Sequence, residues 1–257
     1  MSDCLVTKLK GSVGDSSLPI LGGFEMEIKA NAGYVEFLST GCTFKRYDSD
    51  GNLVQTTINN FTGMNFAAGK LRVENKYAIT KISAAAWDTA KLELDEISPC
   101  TLLTYLSAYV SGDLSSVSGL TLLTNLTLIV ANGGTLSGDL SVLSLLTSLA
   151  SIFIGQNTSV VGNVSVFSGR ALTGVTLQSP GIVGDVASFG KSIGASDLWL
   201  NGSGISGAIE DLADAQVTNG RTSGTLIIHG NGLMTYNGAA FSGNKTITFS
   251  GGSYIIS

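Results

Sequence analysis

The single histidine of the chain, His229, is the first candidate for catalytic chemistry. It lies in the segment Ile227-Ile228-His229-Gly230. Imidazole is the usual general base near neutral pH, and a hydrolytic triad would need a Ser or Cys nucleophile and an Asp beside it. The repeat described below instead places His229 just past a strand core, level with Gln178 and Asn201. We therefore predict a solvated side chain here and no catalytic residues.

Acidic side chains offer two candidate metal sites. The segment Asp48-Ser49-Asp50-Gly51-Asn52 places oxygen ligands at alternate positions, as calcium loops do, but no distal glutamate follows. Asp113, Asp139 and Asp185 recur with the repeat and would form a column of one carboxylate per coil. A hairpin turn and the capping of backbone turns account for both groups. We predict no metal and no cofactor; a calcium ladder along the column is the alternative.

A repeat in the second half of the chain must position these side chains. Each copy has a strand core in which two apolar residues flank one outward residue. The cores are Leu126-Thr127-Leu128, Ile152-Phe153-Ile154, Val175-Thr176-Leu177, Leu198-Trp199-Leu200, Leu226-Ile227-Ile228 and Ile247-Thr248-Phe249. A glycine-led segment recurs in step with them, at Gly112, Gly138, Gly162, Gly184 and Gly207. Two markers with one period, roughly 24 residues, predict stacked coils that share one parallel sheet and one apolar core.

Two of these copies carry a resemblance to a known family. Leu172-x-x-Val175-x-Leu177-x-x-Pro180-x-Ile182-x-Gly184-x-Val186 resembles the leucine-rich repeat, in the variety with a glycine after the Asn-x-Leu segment. Ala195-x-x-Leu198-x-Leu200-x-x-Ser203-x-Ile205-x-Gly207-x-Ile209 does so too. The resemblance covers about residues 101–257. It departs at the Asn position, which reads Ala131, Asn157, Pro180, Ser203, Asn231 and Gly252. The resemblance therefore implies an irregular solenoid rather than a regular horseshoe.

The outward residues of the strand cores are the candidate binding surface. Side chains alternate between the two faces of a strand, so the central residue of each core points away from the interior. The predicted surface comprises Phe153, Thr176, Trp199, Ile227 and Thr248, with Thr127 on the first core. Trp199 beside Ile227, two strands from Phe153, is typical of a contact site because exposed tryptophan is favoured in binding hot spots. The alternative is that residues 212–223 fold over the sheet and bury Trp199.

The first half of the chain has a different charge pattern. Ten of the fourteen Lys and Arg residues precede residue 100, and none lies between Lys91 and Arg170. Alternating segments such as 34–38, 43–47, 53–58, 71–74 and 77–82 indicate strands, with a hairpin turn at residues 48–52. The fold class is thus mainly β: a β-rich attachment and assembly domain over 1–95, then an irregular leucine-rich-repeat-like parallel β-solenoid over 96–257.

Composition excludes several classes of function. The net charge of -5 disfavours a nucleic-acid surface, which needs a basic footprint. The apolar runs fall far short of the roughly 18 residues that a membrane span needs. The segment Met1–Lys8 lacks the basic and apolar regions of a secretory signal, and three widely spaced cysteines favour a reduced compartment. We expect synthesis in a host cytoplasm without secretion, and neither nucleic-acid binding nor membrane insertion.

The N-terminal segment carries a second resemblance. Ser2-Asp3-Cys4-Leu5-Val6-Thr7-Lys8-Leu9-Lys10-Gly11-Ser12-Val13 and Ser17-Leu18-Pro19-Ile20-Leu21-Gly22 resemble the opening of structural proteins of tailed phages of gut Bacteroidales, the crAss-like phages included. This resemblance implies a non-enzymatic virion protein such as a tail, fibre, spike or capsid decoration component. Its expected partners are other virion proteins or copies of itself, and a host receptor or glycan. A bacterial leucine-rich-repeat adhesin and a polysaccharide-cleaving β-solenoid enzyme are the alternatives.

Overall fold

The computed structural model describes residues 24–28, 35–63, 69–84, 92–130, 134–155 and 158–257. Within this part the chain is mainly β. The strands are β1 (Phe24–Ile28), β2 (Val35–Asp48), β3 (Leu53–Gly63), β4 (Gly69–Glu74), β5 (Ile79–Ala84), β6 (Leu92–Glu93), β7 (Tyr105–Asp113), β8 (Asn125–Val130), β9 (Leu136–Asp139), β10 (Ser151–Ile154), β11 (Ser159–Asn163), β12 (Gly174–Leu177), β13 (Gly181–Asp185), β14 (Asp197–Trp199), β15 (Gly204–Ala208), β16 (Ser223–Tyr236), β17 (Ala239–Ser250) and β18 (Ser253–Ile256).

Helices are short and lie mostly on the returns between strands. The α-helices among the described residues are α1 (Leu94–Ile97) and α2 (Ile209–Thr218). The 3₁₀-helices are Lys76–Ala78, Leu114–Val117, Leu140–Leu145, Val164–Phe167 and Val186–Phe189. No helix of the described ranges is long and apolar enough to cross a membrane.

The first described strands form an antiparallel sheet. β2 pairs with β3 on one edge and with both β4 and β5 on the other, and β4 also pairs with β1. The predicted hairpin turn is confirmed: the Asp48 carboxylate accepts bonds from the backbone N–H groups of Asp50 and Asn52, and Gly51 has a positive φ of 84°. The two segments predicted at 34–38 and 43–47 are one strand, because an irregularity at Gly41 lets β2 continue.

The predicted parallel solenoid is present in the second half. The strands β5, β7, β8, β10, β12, β14 and β16 pair in parallel, in that order. A second parallel sheet joins β7, β9, β11, β13, β15 and β16. Parallel pairing begins at β5, which also belongs to the antiparallel sheet. The division predicted between residues 95 and 96 lies in α1, and the strands before and after it, β5 and β7, are hydrogen-bonded to each other.

The core is a stack of apolar rungs that repeats from coil to coil. In the parallel sheet that runs from β5 to β16, each strand has a buried apolar residue level with the one on the next strand. The second parallel sheet and the 3₁₀-helices of the returns also contribute buried apolar residues. The level residues of the first sheet are Ile82, Leu106, Leu126, Ile152, Val175, Leu198 and Ile228. A single coil could not bury this surface, and each fully buried rung contributes about 1.5–3 kcal/mol.

The glycine-led segments form the corner where each coil leaves the second sheet. Gly138, Gly162, Gly184 and Gly207 all have φ between 108° and 125°. The Asp or Asn that follows a corner glycine caps the next helix through a backbone N–H two residues on, as predicted. These caps are Asp113 to Ser115, Asp139 to Ser141, Asn163 to Ser165 and Asp185 to Ala187.

The C-terminal strands correct the predicted topology. Ile247-Thr248-Phe249 was expected to form a further parallel coil, but β17 pairs antiparallel with β16 and β18. Thr248 is exposed and lies opposite Thr225, rather than continuing the parallel ladder. Buried Ile247 and Phe249 pack on the core instead. The apolar-x-apolar pattern is the same in parallel and antiparallel strands, so the sequence did not distinguish them.

In one coil, the buried polar residue that takes the place of the repeat asparagine is not at the predicted position. Ser179, not Pro180, is buried and donates from its hydroxyl to the carbonyls of Thr158 and Val160 on the preceding coil. Asn231 makes the equivalent bonds to the carbonyls of Ser203 and Ile205. At Ser179, a small hydroxyl stands in the place of the asparagine that the repeat pattern favours. Its one proton is shared between two carbonyl groups, whereas the amide of Asn231 can donate one N–H to each of its two.

Candidate functional site

Four of the predicted outward residues lie level with one another on the parallel sheet. Thr127 is level with Phe153, Phe153 with Thr176, and Thr176 with Trp199, on four successive strands. The first three are half-buried, and Trp199 is 42% exposed. Phe153 lies two strands from Trp199, as predicted. Whether this face binds a partner stays a prediction.

Ile227 and Thr248, the other two predicted outward residues, do not continue this level row. Ile227 is level with Asp197, so it is a diagonal neighbour of Trp199 and not its level one. The level neighbour of Trp199 is His229, which was expected beside Gln178 and Asn201. The last return contains α2 and is longer than the others, so the core that continues the ladder begins at Ile228.

Trp199 and His229 form a stacked pair on the outward face. Their ring centroids are 3.6 Å apart, and their planes differ by 17°. β16 lies on one side of β14 and β12 on the other. One face of the indole is therefore covered by the imidazole, and the opposite face is turned toward Thr176 on β12.

Asp197 completes the cluster without forming a hydrolytic triad. Its Oδ1 lies 3.4 Å from His229 Nε2, and its Oδ2 accepts a bond of 2.8 Å from Ser196 Oγ. In a triad the histidine stands between the serine and the aspartate, because it removes the serine proton. Here the aspartate stands between them. The imidazole is therefore not placed to activate the Ser196 hydroxyl.

The sequence pattern did not predict that His229 and Asp197 lie beside Trp199. Asp197 is the acidic outward residue beside Trp199, and its 38% exposed side chain lies on the same face. The sequence allows two alignments of this strand core with the preceding one, Leu226-Ile227-Ile228 or Ile228-His229-Gly230, and the second would have indicated the pair. The length of the last return decides between them, and a helix in that return could not be inferred from the average period.

Residues 212–223 do not cover Trp199, which contradicts the alternative considered for this face. Leu212 is buried in α2, on the return side of the last coil. Gln216 from the same helix donates to the carbonyls of Phe189 and Ser192. Arg221 donates to the carbonyl of Ala195 and lies 4.4 Å from the ring centroid of Phe249. This segment therefore closes the end of the solenoid and leaves the indole accessible.

The aspartate column binds backbone groups. The pKa of Asp113 is lowered by hydrogen bonds from the side chain and backbone of Ser115, and that of Asp139 by bonds from the backbone and side chain of Ser141. The third member is Asn163, so the column is interrupted by a neutral side chain. No group of three or more His, Cys, Asp or Glu side chains among the described residues is arranged to hold a metal ion.

The comparisons with known proteins are sparse. No protein-family model matches the chain, and no curated protein sequence is significantly similar to it. Among solved structures, a plant peptide hormone receptor, RGFR1, in complex with RGF2, is similar to part of the chain. The identity is 25%, the TM-score is 0.35, and the match covers 46% of this chain and 20% of the receptor chain. The matched part of this chain thus spans about a fifth of the receptor's length, and the fold of this chain is assigned from the strand registers above.

Proposed function

We propose that this chain is a non-enzymatic structural protein of a phage virion, and that it works through contact surfaces. The outward face with its exposed Trp199 and the resemblance of residues 2–22 to phage structural proteins support this proposal. Those N-terminal residues lie outside the described ranges. Its partners would be other virion proteins or copies of itself, and it would reach the particle from the host cytoplasm.

The observation that carries this proposal is that the sheet has open edges at β3 and at β18. From β3 through β2, β5, the parallel strands and β17 to β18, hydrogen bonding is continuous. Each terminal strand has a single partner among the described residues. Unpaired edges are templates for another chain, and proteins usually protect them with charge or proline.

Neither edge has that protection. β3 reads Leu-Val-Gln-Thr-Thr-Ile-Asn-Asn-Phe-Thr-Gly, without a charged residue or a proline, and β18 reads Ser-Tyr-Ile-Ile. Ile58 on β3 is 68% exposed and Ile255 on β18 is 74% exposed. Uncharged edges that carry exposed apolar side chains favour a protein that is covered in an assembly, since unpaired edges promote association.

The virion assignment is tested on purified particles. We expect mass spectrometry to detect this chain in particles at a copy number that stays fixed through gradient purification. Its absence from particles, together with surface labelling on uninfected bacteria, would replace the virion protein by the adhesin. Release of reducing sugar from polysaccharides by the pure chain would instead favour the enzyme.

The assembly role of the first half is tested by substitution, because deletion through residue 95 would remove β5 and uncover β7. We expect Ile58→Lys to reduce self-association or incorporation into particles at least tenfold. Leu145→Lys is the matched control, since Leu145 is 58% exposed on a 3₁₀-helix away from both edges. Equal effects of the two substitutions on assembly would exclude the β3 edge as the assembly contact.

A further inference from the structure

The free face of the Trp199 indole opens onto a shallow slot across three strands. Thr176 forms its floor on β12, and Phe153 stands beyond it on β10. Strands are about 4.8 Å apart, so Trp199 and Phe153 are separated by roughly 10 Å at the backbone. A ring that contacts the indole at about 3.5–4 Å would therefore lie above Thr176.

The Phe153 ring does not fill this slot. A Cβ added to Gly155 would lie 3.2 Å from Phe153 Cε1, so the phenyl ring extends along its own strand over Gly155. The space above Thr176 is consequently bordered by an aromatic ring on each side and by a small β-branched side chain below. Gly155 permits this arrangement because any larger residue would displace the phenyl ring.

An amide pair borders one end of the slot. The Asp197 carboxylate is turned toward His229 on β16, on the other side of the indole, and does not line the slot. Beyond Thr176 and Trp199, Gln178 Nε2 donates to Asn201 Oδ1 across 3.1 Å. That bond leaves Gln178 Oε1 as an acceptor and Asn201 Nδ2 as a donor, neither with a partner among the described residues. The slot thus combines two aromatic side walls with a hydroxyl and an amide pair.

We propose that this slot binds a pyranose ring of an uncharged glycan. A pyranose has a face of C–H groups that can pack on the indole, and its equatorial hydroxyls both donate and accept hydrogen bonds. Amide and hydroxyl side chains, such as those of Gln178, Asn201 and Thr176, match adjacent sugar hydroxyls in this way. The outward positions of β10, β12 and β14 contain no Lys or Arg, and Asp197 carries their single charge. A phosphate, sulfate or uronate group would be repelled by that charge.

This inference rests on the proposed contact role of the face and names the ligand class. It is tested with the full chain by tryptophan fluorescence and calorimetry, using neutral oligosaccharides from glucan, mannan, galactan and xylan. Phe replaces Trp87 in the test protein, so that the emission comes from Trp199. We expect at least one neutral oligosaccharide to bind saturably and shift that emission to the blue, and an acidic oligosaccharide to bind at least tenfold more weakly.

Two matched variants locate the site. Thr176→Phe fills the slot and leaves Trp199 in place, so we expect at least a tenfold loss of affinity. Thr147→Phe adds the same ring on the exposed turn between the 3₁₀-helix Leu140–Leu145 and β10, outside the row of outward residues, and should leave affinity unchanged. Trp199→Ala, with a cooperative melt as the check on folding, should abolish binding.

The proposal is overturned if no neutral oligosaccharide binds saturably, if an aromatic peptide or an acidic glycan binds more tightly, or if Thr176→Phe and Thr147→Phe behave alike. These results leave the virion assignment untouched, since particle composition decides it separately. Conversely, binding that follows the expected pattern in a chain absent from particles would retain the glycan site and remove the virion role.

Discussion

Gly184 stands directly over Asn163 of the preceding coil: a Cβ added to the glycine would lie 2.6 Å from Asn163 Oδ1. The same amide oxygen accepts the backbone N–H of Ser165 and caps the next 3₁₀-helix. Gly207 stands over Asp185 in the same way, with 2.6 Å to its Oδ1. The corner glycine and the capping side chain are therefore one interlocked feature, in which each coil leaves room for the cap of the coil before it.

Replacement of a corner glycine should be costly. Gly184→Ala combines a φ of 125° with the close approach to Asn163, and residues held in such backbone regions cost about 1–3 kcal/mol before the clash is counted. Gly119→Ala is the control, because a Cβ there meets nothing within 4 Å. We expect the control to lie within about 0.5 kcal/mol of wild type in urea unfolding. Equal stabilities of the two variants would contradict the interlock.

The aspartate caps should make the solenoid sensitive to acid. Hydrogen bonds hold the pKa of Asp113 and Asp139 below the ordinary value, so their stabilising contribution is present above the unfolded-state pKa. It is lost as pH falls through the folded-state pKa. The double variant Asp113→Asn, Asp139→Asn should match wild type at pH 7, because Asn caps equally well, and should lose less stability between pH 5 and pH 3.

Asn163 provides the reciprocal variant for this effect. Asn163→Asp introduces a titrating cap into a column position that is naturally neutral, so the acid-side loss of stability should increase. Asn163→Ala removes the cap altogether and should cost about 0.5–2 kcal/mol at every pH. Melting temperatures from pH 3 to pH 7 measure both. A pH profile that is identical in all these variants would assign the acid sensitivity to other carboxylates.

Adjacent residues on β14 and just beyond it should respond differently to truncation. Leu200 is fully buried, so Leu200→Ala should cost about 2–5 kcal/mol in urea unfolding. Trp199→Ala exposes no cavity and removes the stack with His229, which is worth about 0.5–1.5 kcal/mol. A Trp199→Ala protein as unstable as Leu200→Ala would show that the indole supports the core.

The buried thiols should be unreactive in the folded protein. Burial raises the pKa of Cys100 to about 12, and burial also raises the pKa of Cys42, whose thiol lies 3.0 Å from the Asn75 carbonyl oxygen. Thiolate is the reactive form, so both side chains stay protonated at pH 8. A Cys4→Ser protein should show no fast reaction with a disulfide reagent until it is unfolded, and then two equivalents. One fast equivalent in the native state would refute this.

The sequence was sufficient where spacing alone determines structure. Gly138, Gly162 and Gly184 recur with the strand cores because every coil needs the same corner, so the parallel stack and its capping column could be predicted. The register of β16 could not be, since it depends on how α2 and Arg221 pack against the preceding return. The stack of Trp199 on His229 follows from that register and was therefore missed as well.

In the first half of the chain, the bounds of β2 could not be predicted, for a different reason. Gly41 and Cys42 interrupt the alternation of polar and apolar residues, which indicated two strands where β2 is one. The positive φ of Gly41, 96°, and the bond from Asn75 to its carbonyl hold the irregularity in place. Such a feature depends on contacts with distant residues, so alternation within a short window does not reveal it.

The closed end of the solenoid has a consequence for length. The last coil is contacted by α2, by Arg221 and by the antiparallel strands β16–β18. At the other end of the solenoid, the antiparallel sheet is joined to the coils through β5. The described coils between these two ends therefore pack on the coils before and after them. One coil could be duplicated or removed with its corner glycine and cap intact. Each such step would change the separation of the two ends by about 4.8 Å. The middle of the chain is thus a spacer whose length can change in fixed increments while both terminal structures stay the same.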